Sequence, residues 1–507
     1  MNNEWEKLNQ EAISLMQEGR LDEALEPARA ALNAAKKARG DNHPDVALSY
    51  NNIGELYHAR GNMDQAETAM RKALGIYEAV MGSEHSDVAD SLSNLAELFM
   101  SQERYSDAEP LMERALMIRE KRLDPEDPDL PHFLNSLAMV YLAGGKHKKA
   151  QPLLQKALGA LEKALADNHP DLGPVLTNLA AIAQADGNLE EAESHLRRVV
   201  SIYEKSIGVM HPAFAKTIAQ LAEIYLAMGM VPAAEPMLHQ ALDIRKETLG
   251  ESHPEVAESL DRLAMLYQSK GELNKAEAMM TQSIRVYRHA FGDDHPAVAL
   301  SENNLGEFFL NQGKVEEALP LLESALNIRE NALDEKHPAV AQSLNNLALV
   351  FDQKGAYADA EPLHQRALEI RRSAFGAEHP ATTQSLENLA ALYRAQNRVD
   401  EAEALLKESI TIWEKAMGKD SPASAQPYNN LGILYANAGR YEKAERALKK
   451  ARKIVENSLG PKDPHLAIIF DTLSMVYEKM GKAAECKEFA ARAHKIRRPD
   501  QMQKPTG

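Results

Sequence analysis

Along residues 43–61, HPDVALSYNNIGELYHARG, the positions Val46, Ala47, Tyr50, Ile53, Gly54 and Tyr57 are apolar or small and recur at spacings of three and four. That is the period of one face of an α-helix. The next stretch, NMDQAETAMRKALGIYEAVMG, repeats it with Ala66, Met70, Ala73, Leu74 and Tyr77. The pattern predicts two helices joined by a turn, and it is written again every 42 residues. His43-Pro44 returns as His169-Pro170, His211-Pro212, His253-Pro254, His295-Pro296, His337-Pro338 and His379-Pro380. His85-Ser86, Asp127-Pro128, Ser421-Pro422 and Asp463-Pro464 fill the other places of the same lattice, with no insertion or deletion over eleven steps. Counting back from His43 adds a repeat from Met1. A period of this length signals a solenoid, and the fold class expected is all-α.

The lattice divides residues 1–504 into one array of twelve repeats: 1–42, 43–84, 85–126, 127–168, 169–210, 211–252, 253–294, 295–336, 337–378, 379–420, 421–462 and 463–504. Residues 499–507 are expected to form a loose tail. The turn after each leading helix holds glycine in ten of the twelve repeats (Gly19, Gly61, Gly145, Gly187, Gly229, Gly271, Gly313, Gly355, Gly439, Gly481), as a left-handed helix stop requires. Prolines at a shared place in the trailing helix (Pro110, Pro152, Pro236, Pro320, Pro362) put that place in about the first turn, where a missing N–H costs little. In the first repeat Glu11 and Arg39 replace apolar residues, the signature of a capping repeat.

The motif Tyr50-x2-Ile53-Gly54-x2-Tyr57 followed by Ala66-x3-Met70 resembles the tetratricopeptide repeat (TPR) pattern, and its 42-residue form opening with His-Pro resembles the repeats of kinesin light chains. The resemblance covers essentially the whole chain. It implies antiparallel helix pairs stacked into a superhelix, with the leading helices lining a concave face that binds peptides or partner proteins. Kinesin light chains also carry a heptad coiled coil that joins the motor. No sustained heptad segment exists here, so the motor-adaptor role is not carried over.

Composition narrows the partners. The net charge of −17 disfavours a nucleic-acid backbone or an anionic membrane. One cysteine, Cys486, leaves no internal disulfide and fits a reducing compartment. No basic region followed by an apolar core opens the chain and no apolar run is long enough to span a bilayer, so a cytoplasmic protein is expected.

The recurrent histidines could suggest a metal site. Successive leading helices are separated by a trailing helix, which puts the histidines over roughly 10 Å apart, whereas metal ligands sit at about 2 Å. Asp127, Ser421 and Asp463 at the same place are helix-capping residues, and the expected role is capping with proline at the first helical position. No phosphate loop, dinucleotide fingerprint, zinc-protease motif or nucleophile elbow is present, so neither a cofactor, a metal nor an enzyme activity is expected. The acid-rich LDPEDPDLP from Leu123 lacks the spacing and glycine of a calcium loop and reads as a connection between repeats.

Asparagines inside the leading helix need a different reason, because asparagine costs a helix up to about 0.7 kcal/mol against alanine. They are Asn52, Asn94, Asn178, Asn304, Asn346, Asn388 and Asn430, preceded by Asn51, Asn303, Asn345 and Asn429 in four repeats. The helical period turns this place toward the concave side, and an amide both donates and accepts, which suits the backbone of an extended peptide. The resemblance likewise assigns ligand-contacting asparagines here. A hydrogen bond between adjacent repeats is the other reading, and the two are compatible. Asn304, Asn346, Asn388 and Asn430 mark repeats eight to eleven as the expected channel, with Gln342, Gln384, Gln426, Leu349, Arg394 and Ile433 nearby. Glu55, Glu97 and Glu223 make the earlier face acidic. Lys216 and Arg262 hold two places of a carboxylate clamp, but in different repeats and with Asp261 adjacent, so that clamp is not reproduced. Glu302 and His364 break the apolar lattice.

The expected function is a non-catalytic scaffold that binds an extended peptide or a partner helix. A self-associating spacer acting through its convex face is the alternative, and single-stranded RNA binding is disfavoured by the acidic balance.

Overall fold

The computed structural model describes residues 3–18, 20–122 and 129–497. Asp127, Pro128 and most of the acid-rich connection, Gly19 and the tail lie outside the described residues. Among those described there are 24 α-helices and no strand. Two halves, Met1–Glu251 and Ser252–Gly507, each form a compact unit. Within each half the helices alternate as leading and trailing members of pairs, and each trailing helix also packs on the next leading helix.

The cores are built from the apolar faces the sequence displays. In the N-terminal half Leu92, Leu95, Leu98, Phe99, Leu134, Leu154 and Leu176 are buried together; in the C-terminal half Leu386, Leu406, Leu434, Leu448, Phe470 and Val476 are. Each large side chain so buried contributes roughly 1.5–3 kcal/mol.

The ends of the helices follow the local chemistry. His43 Nδ1 accepts from the backbone N–H of Asp45 at 3.2 Å, and His85, His169, His211, His253, His295, His337 and His379 bond in the same way. Ser421 Oγ and Asp463 Oδ1 reproduce the bond at 3.3 and 2.9 Å, so these residues are interchangeable as caps. The turn after the leading helix takes a positive φ, for instance 72° at Gly355. Glu103 and Asn397 occupy this place where glycine is missing, at φ 58° and 61°.

One expectation is corrected. The helix Tyr105–Arg122 contains Pro110 as its sixth residue, and Pro152, Pro236, Pro320 and Pro362 also stand inside their helices, beyond the first turn. All five prolines are exposed, so each lost bond frees a carbonyl on the solvent side, where water can satisfy it.

A second regularity joins neighbouring repeats at their outer ends. Arg104 pairs with Glu67 at 2.9 Å, Lys314 with Glu277 at 3.1 Å, Arg398 with Glu361 at 2.7 Å and Arg440 with Glu403 at 3.1 Å, while Lys146 pairs with Glu109. The basic residue always stands 37 positions after its acid. These pairs flank aromatic rings, as where Arg398 lies 3.9 Å from the Tyr393 ring centre.

Candidate peptide-binding face

The leading helix of each repeat carries the asparagines, and the structure sorts them into two rows with opposite reach. Asn51 Nδ2 donates forward to Ser91 Oγ at 3.1 Å, and Asn345 Nδ2 to Ser385 Oγ at 2.8 Å. Asn303 Oδ1 accepts from Ser343 at 3.3 Å. These partners are 40 residues ahead. The second row reaches back: Asn52 Nδ2 to Asn9 Oδ1 at 2.8 Å, Asn178 to Asn135 at 2.8 Å, Asn94 to Glu55 at 3.1 Å and Asn430 to Glu387 at 3.2 Å. Asn346 reaches both Asn303 at 3.3 Å and Glu307 at 3.4 Å.

Burial separates the same residues. Asn51, Asn52, Asn303, Asn345, Asn346 and Asn429 are buried, and Asn303 is fully so. Asn94, Asn178, Asn388 and Asn430 are half-buried, and Asn304 is exposed. Buried amides that bridge repeats hold the stacking register, because an unpaired buried amide costs about 1–3 kcal/mol. The asparagines that keep accessible surface are therefore Asn94, Asn178, Asn304, Asn388 and Asn430, the last three in repeats eight, ten and eleven. Two exposed glutamines adjoin the last two: Gln384 Nε2 donates to Asn388 Oδ1 at 2.8 Å, and Gln426 Nε2 to Asn430 Oδ1 at 3.3 Å. Half-buried Leu349, Arg394 and Ile433 lie in the same four repeats.

Asn429 departs from its row in its partner: the residue 40 positions ahead is Ile469 where the row otherwise offers serine, and its Oδ1, like that of Asn51, is buried without a hydrogen-bond partner. It borders a hollow of about 320 Å3 walled by Pro422, Leu459, Ile468 and Ile469.

Acidic groups share this face. Glu387 accepts from Ser409 Oγ at 3.0 Å as well as from Asn430, and burial raises its pKa to about 6. Asp261 is also lifted by burial to about 6. In the N-terminal half, burial raises both Glu55 and Glu97, with Glu97 adding to the effect on Glu55. Lys216 is exposed and Arg262 pairs with Glu258 at 3.5 Å, so no carboxylate clamp is assembled.

The two lattice-breaking residues both have partners. Glu302, fully buried, accepts from Arg288 through Oε1. His364, also fully buried, lies with Nδ1 3.0 Å from Asn345 Oδ1 and Nε2 3.0 Å from Asp352 Oδ2. Neither side chain is presented to a ligand.

Sequence reasoning missed the serines. Ser91, Ser343 and Ser385 recur two places before the first asparagine row, and that joint periodicity was the available signal. Among the described residues, no group of three or more His, Cys, Asp or Glu side chains is placed to hold a metal ion.

Comparison with known proteins agrees with this architecture. The tetratricopeptide repeat model matches residues 6–79, 45–121, 87–163, 297–373, 353–415, 380–457 and 423–498, and the model of the MalT-like TPR region matches residues 132–331. No curated protein matches the sequence. Among solved structures, BtubC (BKLC) from P. vanneervenii is 22% identical with a TM-score of 0.39, over 46% of this chain and 92% of its own. The nearly identical TPR-like repeats of a chain named as a kinesin light chain from Podosopora anserina are 28% identical with a TM-score of 0.37, over 41% and 98%. The apo form of RapI is 15% identical with a TM-score of 0.46, over 82% and 99%. With its repeat model matched over more than half of its length, this chain belongs to the tetratricopeptide repeat family.

Proposed function

We propose that residues 1–504 act as one array of twelve repeats and serve as a non-catalytic scaffold that binds an extended peptide or a partner helix along the leading helices of repeats eight to eleven. The observation that carries this reading is the amide row of the C-terminal half: exposed Asn304, then Gln384 with Asn388 and Gln426 with Asn430, each pair holding amide groups at one turn's spacing on the surface. Such groups donate and accept, and they meet a peptide backbone irrespective of its side chains. The buried members Asn303, Asn345 and Asn346 hold the helices that present this row, with Asn429 buried beside them, and Asn51, Asn52, Asn94 and Asn178 tie neighbouring repeats in the N-terminal half. A cytoplasmic setting suits the single cysteine, and no described helix is long and apolar enough to cross a membrane. The chain's acidity supports a protein ligand over a nucleic acid.

The test compares partners captured from the native lysate by wild type and by a variant carrying Asn304→Ala, Asn388→Ala and Asn430→Ala, with thermal melts of both. Loss of specific partners at an unchanged melting temperature supports the reading. Retention of every partner removes the amide row from the interface.

A further inference from the structure

Four successive trailing helices of the C-terminal half carry an exposed stripe at places that return every 42 residues, and its charge changes sign along the chain. In Tyr441–Ser458 the stripe reads Lys443, Arg446, Lys449 and Lys453, all exposed. Spacings of three, three and four keep these side chains on one helix face. In Val315–Ala332 the first and third of the same places hold Glu317 and Glu323, and in Tyr357–Phe375 the first and last hold Asp359 and Glu369, again exposed and with no base at the others. Val399–Met417, between them and the basic helix, carries one charge of each sign, Glu401 and Lys407. The stretch 421–462 has eight Lys or Arg against three Asp or Glu, and 295–336 has three against eight, so the stripe follows a polarity of the whole half.

Charges at the outer ends of the repeats largely satisfy one another, as Arg398 does Glu361. Those of the stripe do not. Among the described residues Glu317, Glu323, Asp359 and Glu369 make no ion pair, and neither do Arg446 and Lys453. Lys443 rests over the Tyr435 ring, 5.2 Å from its centre, and Lys449 alone has a carboxylate, Glu445 at 2.6 Å.

We infer that this stripe is a self-association surface, on which Tyr441–Ser458 of one chain lies over Val315–Ala332 and Tyr357–Phe375 of a second copy, and reciprocally. A face with a basic end and an acidic end complements itself after a half-turn, so two such contacts close a symmetric dimer. A nucleic acid or an anionic membrane laid along the same face would meet the acidic end as well, where like charge repels it. The stripe lies on trailing helices and the amide row on leading ones, so the inference is independent of the proposed binding face. Exposed ion pairs are individually weak and are screened by salt, which makes this a low-affinity dimer that ionic strength dissolves.

Sedimentation velocity of the full chain over a concentration series reads the mass. The wild type is expected to rise toward twice the chain mass in about 20 mM salt and to return to a single chain in about 500 mM. Lys443→Glu combined with Arg446→Glu and Lys453→Glu should stay single at low salt. So should Glu317→Lys combined with Glu323→Lys, Asp359→Lys and Glu369→Lys, and the two variants mixed in equal amounts should pair. Lys148→Glu with Lys163→Glu and Lys205→Glu reaches the same net charge as the first variant through exposed places in the N-terminal half, and should associate like wild type. Every substituted residue is exposed, and matching thermal melts keep misfolding out of the comparison. A wild type that stays single at low salt, or association that survives in both reversed variants, would overturn the inference. A single chain that binds a short thymidine oligonucleotide and loses it on reversal of the basic end would overturn it too, by giving that end to a nucleic acid.

Discussion

His364 Nε2 lies 3.0 Å from Asp352 Oδ2, and the ring that makes this contact is fully buried where other repeats carry methionine, leucine or alanine. Its other nitrogen meets Asn345, which continues to Ser385 in the next repeat. His364→Met fills the volume with the residue seen at Met70 and Met112 but strands Asn345 Oδ1 and the Asp352 carboxylate. A loss of about 2 kcal/mol is expected, read as a lowered denaturant midpoint. The loss in His364→Met combined with Asp352→Ala should be smaller than the sum of the single losses, and strict additivity would show the contact to be energetically empty.

Glu387 gives the fold a pH dependence of definite sign. Its carboxyl is raised from 4.5 to about 6 by burial, so the folded chain takes up this proton more readily than the unfolded one. The contribution is favourable below pH 4.5, fades between 4.5 and about 6, and is gone above. Glu387→Gln should therefore be more stable than wild type at pH 7.5, by roughly 1–2 kcal/mol, with the gap closing at pH 4. Parallel melts at the two pH values check this, and a gap independent of pH would refute it.

Glu103 holds a left-handed backbone, φ 58°, at the turn where glycine stands in neighbouring repeats. A side chain there costs on the order of 1 kcal/mol, part of which glycine returns as entropy of the unfolded chain. Glu103→Gly is expected to raise the melting temperature slightly, and Gly355→Ala to lower it.

Gly173 packs against Tyr203 so closely that a β-carbon would sit 2.5 Å from Tyr203 Cζ. Gly173→Ala should cost about 1–3 kcal/mol. In a Tyr203→Ala background the same change should cost far less, which chemical denaturation of the four proteins will show.

Much of the fold is legible from the chain because the repeat states each rule many times. The helical period, the capping place shared by His43, Ser421 and Asp463, and the turn held by Gly61 and Gly355 each follow from local chemistry. The prolines misled: Pro110 reads as a helix start, but the helix opens at Tyr105 because the exposed face tolerates the lost bond. The asparagines were found but not sorted. Periodicity gives a residue's angle around its own helix, and whether Asn303 or Asn304 is covered depends on what stands 40 or 43 residues away. Arg329 and Arg371 hold the same place in the repeat, yet Arg329 donates to Ala339 O, Gln342 and Ser343 while Arg371 donates to Ser385, a difference the sequence pattern does not display.

The outer pairs, such as Arg398 with Glu361, and the buried amide bonds, such as Asn345 with Ser385, join neighbouring repeats by contacts of different character. Dissolved ions weaken the first, whose side chains are partly exposed, and leave the second almost untouched. As ionic strength rises, adjacent repeats lose attraction at their rims while the buried amides keep them in step. The stack softens without slipping.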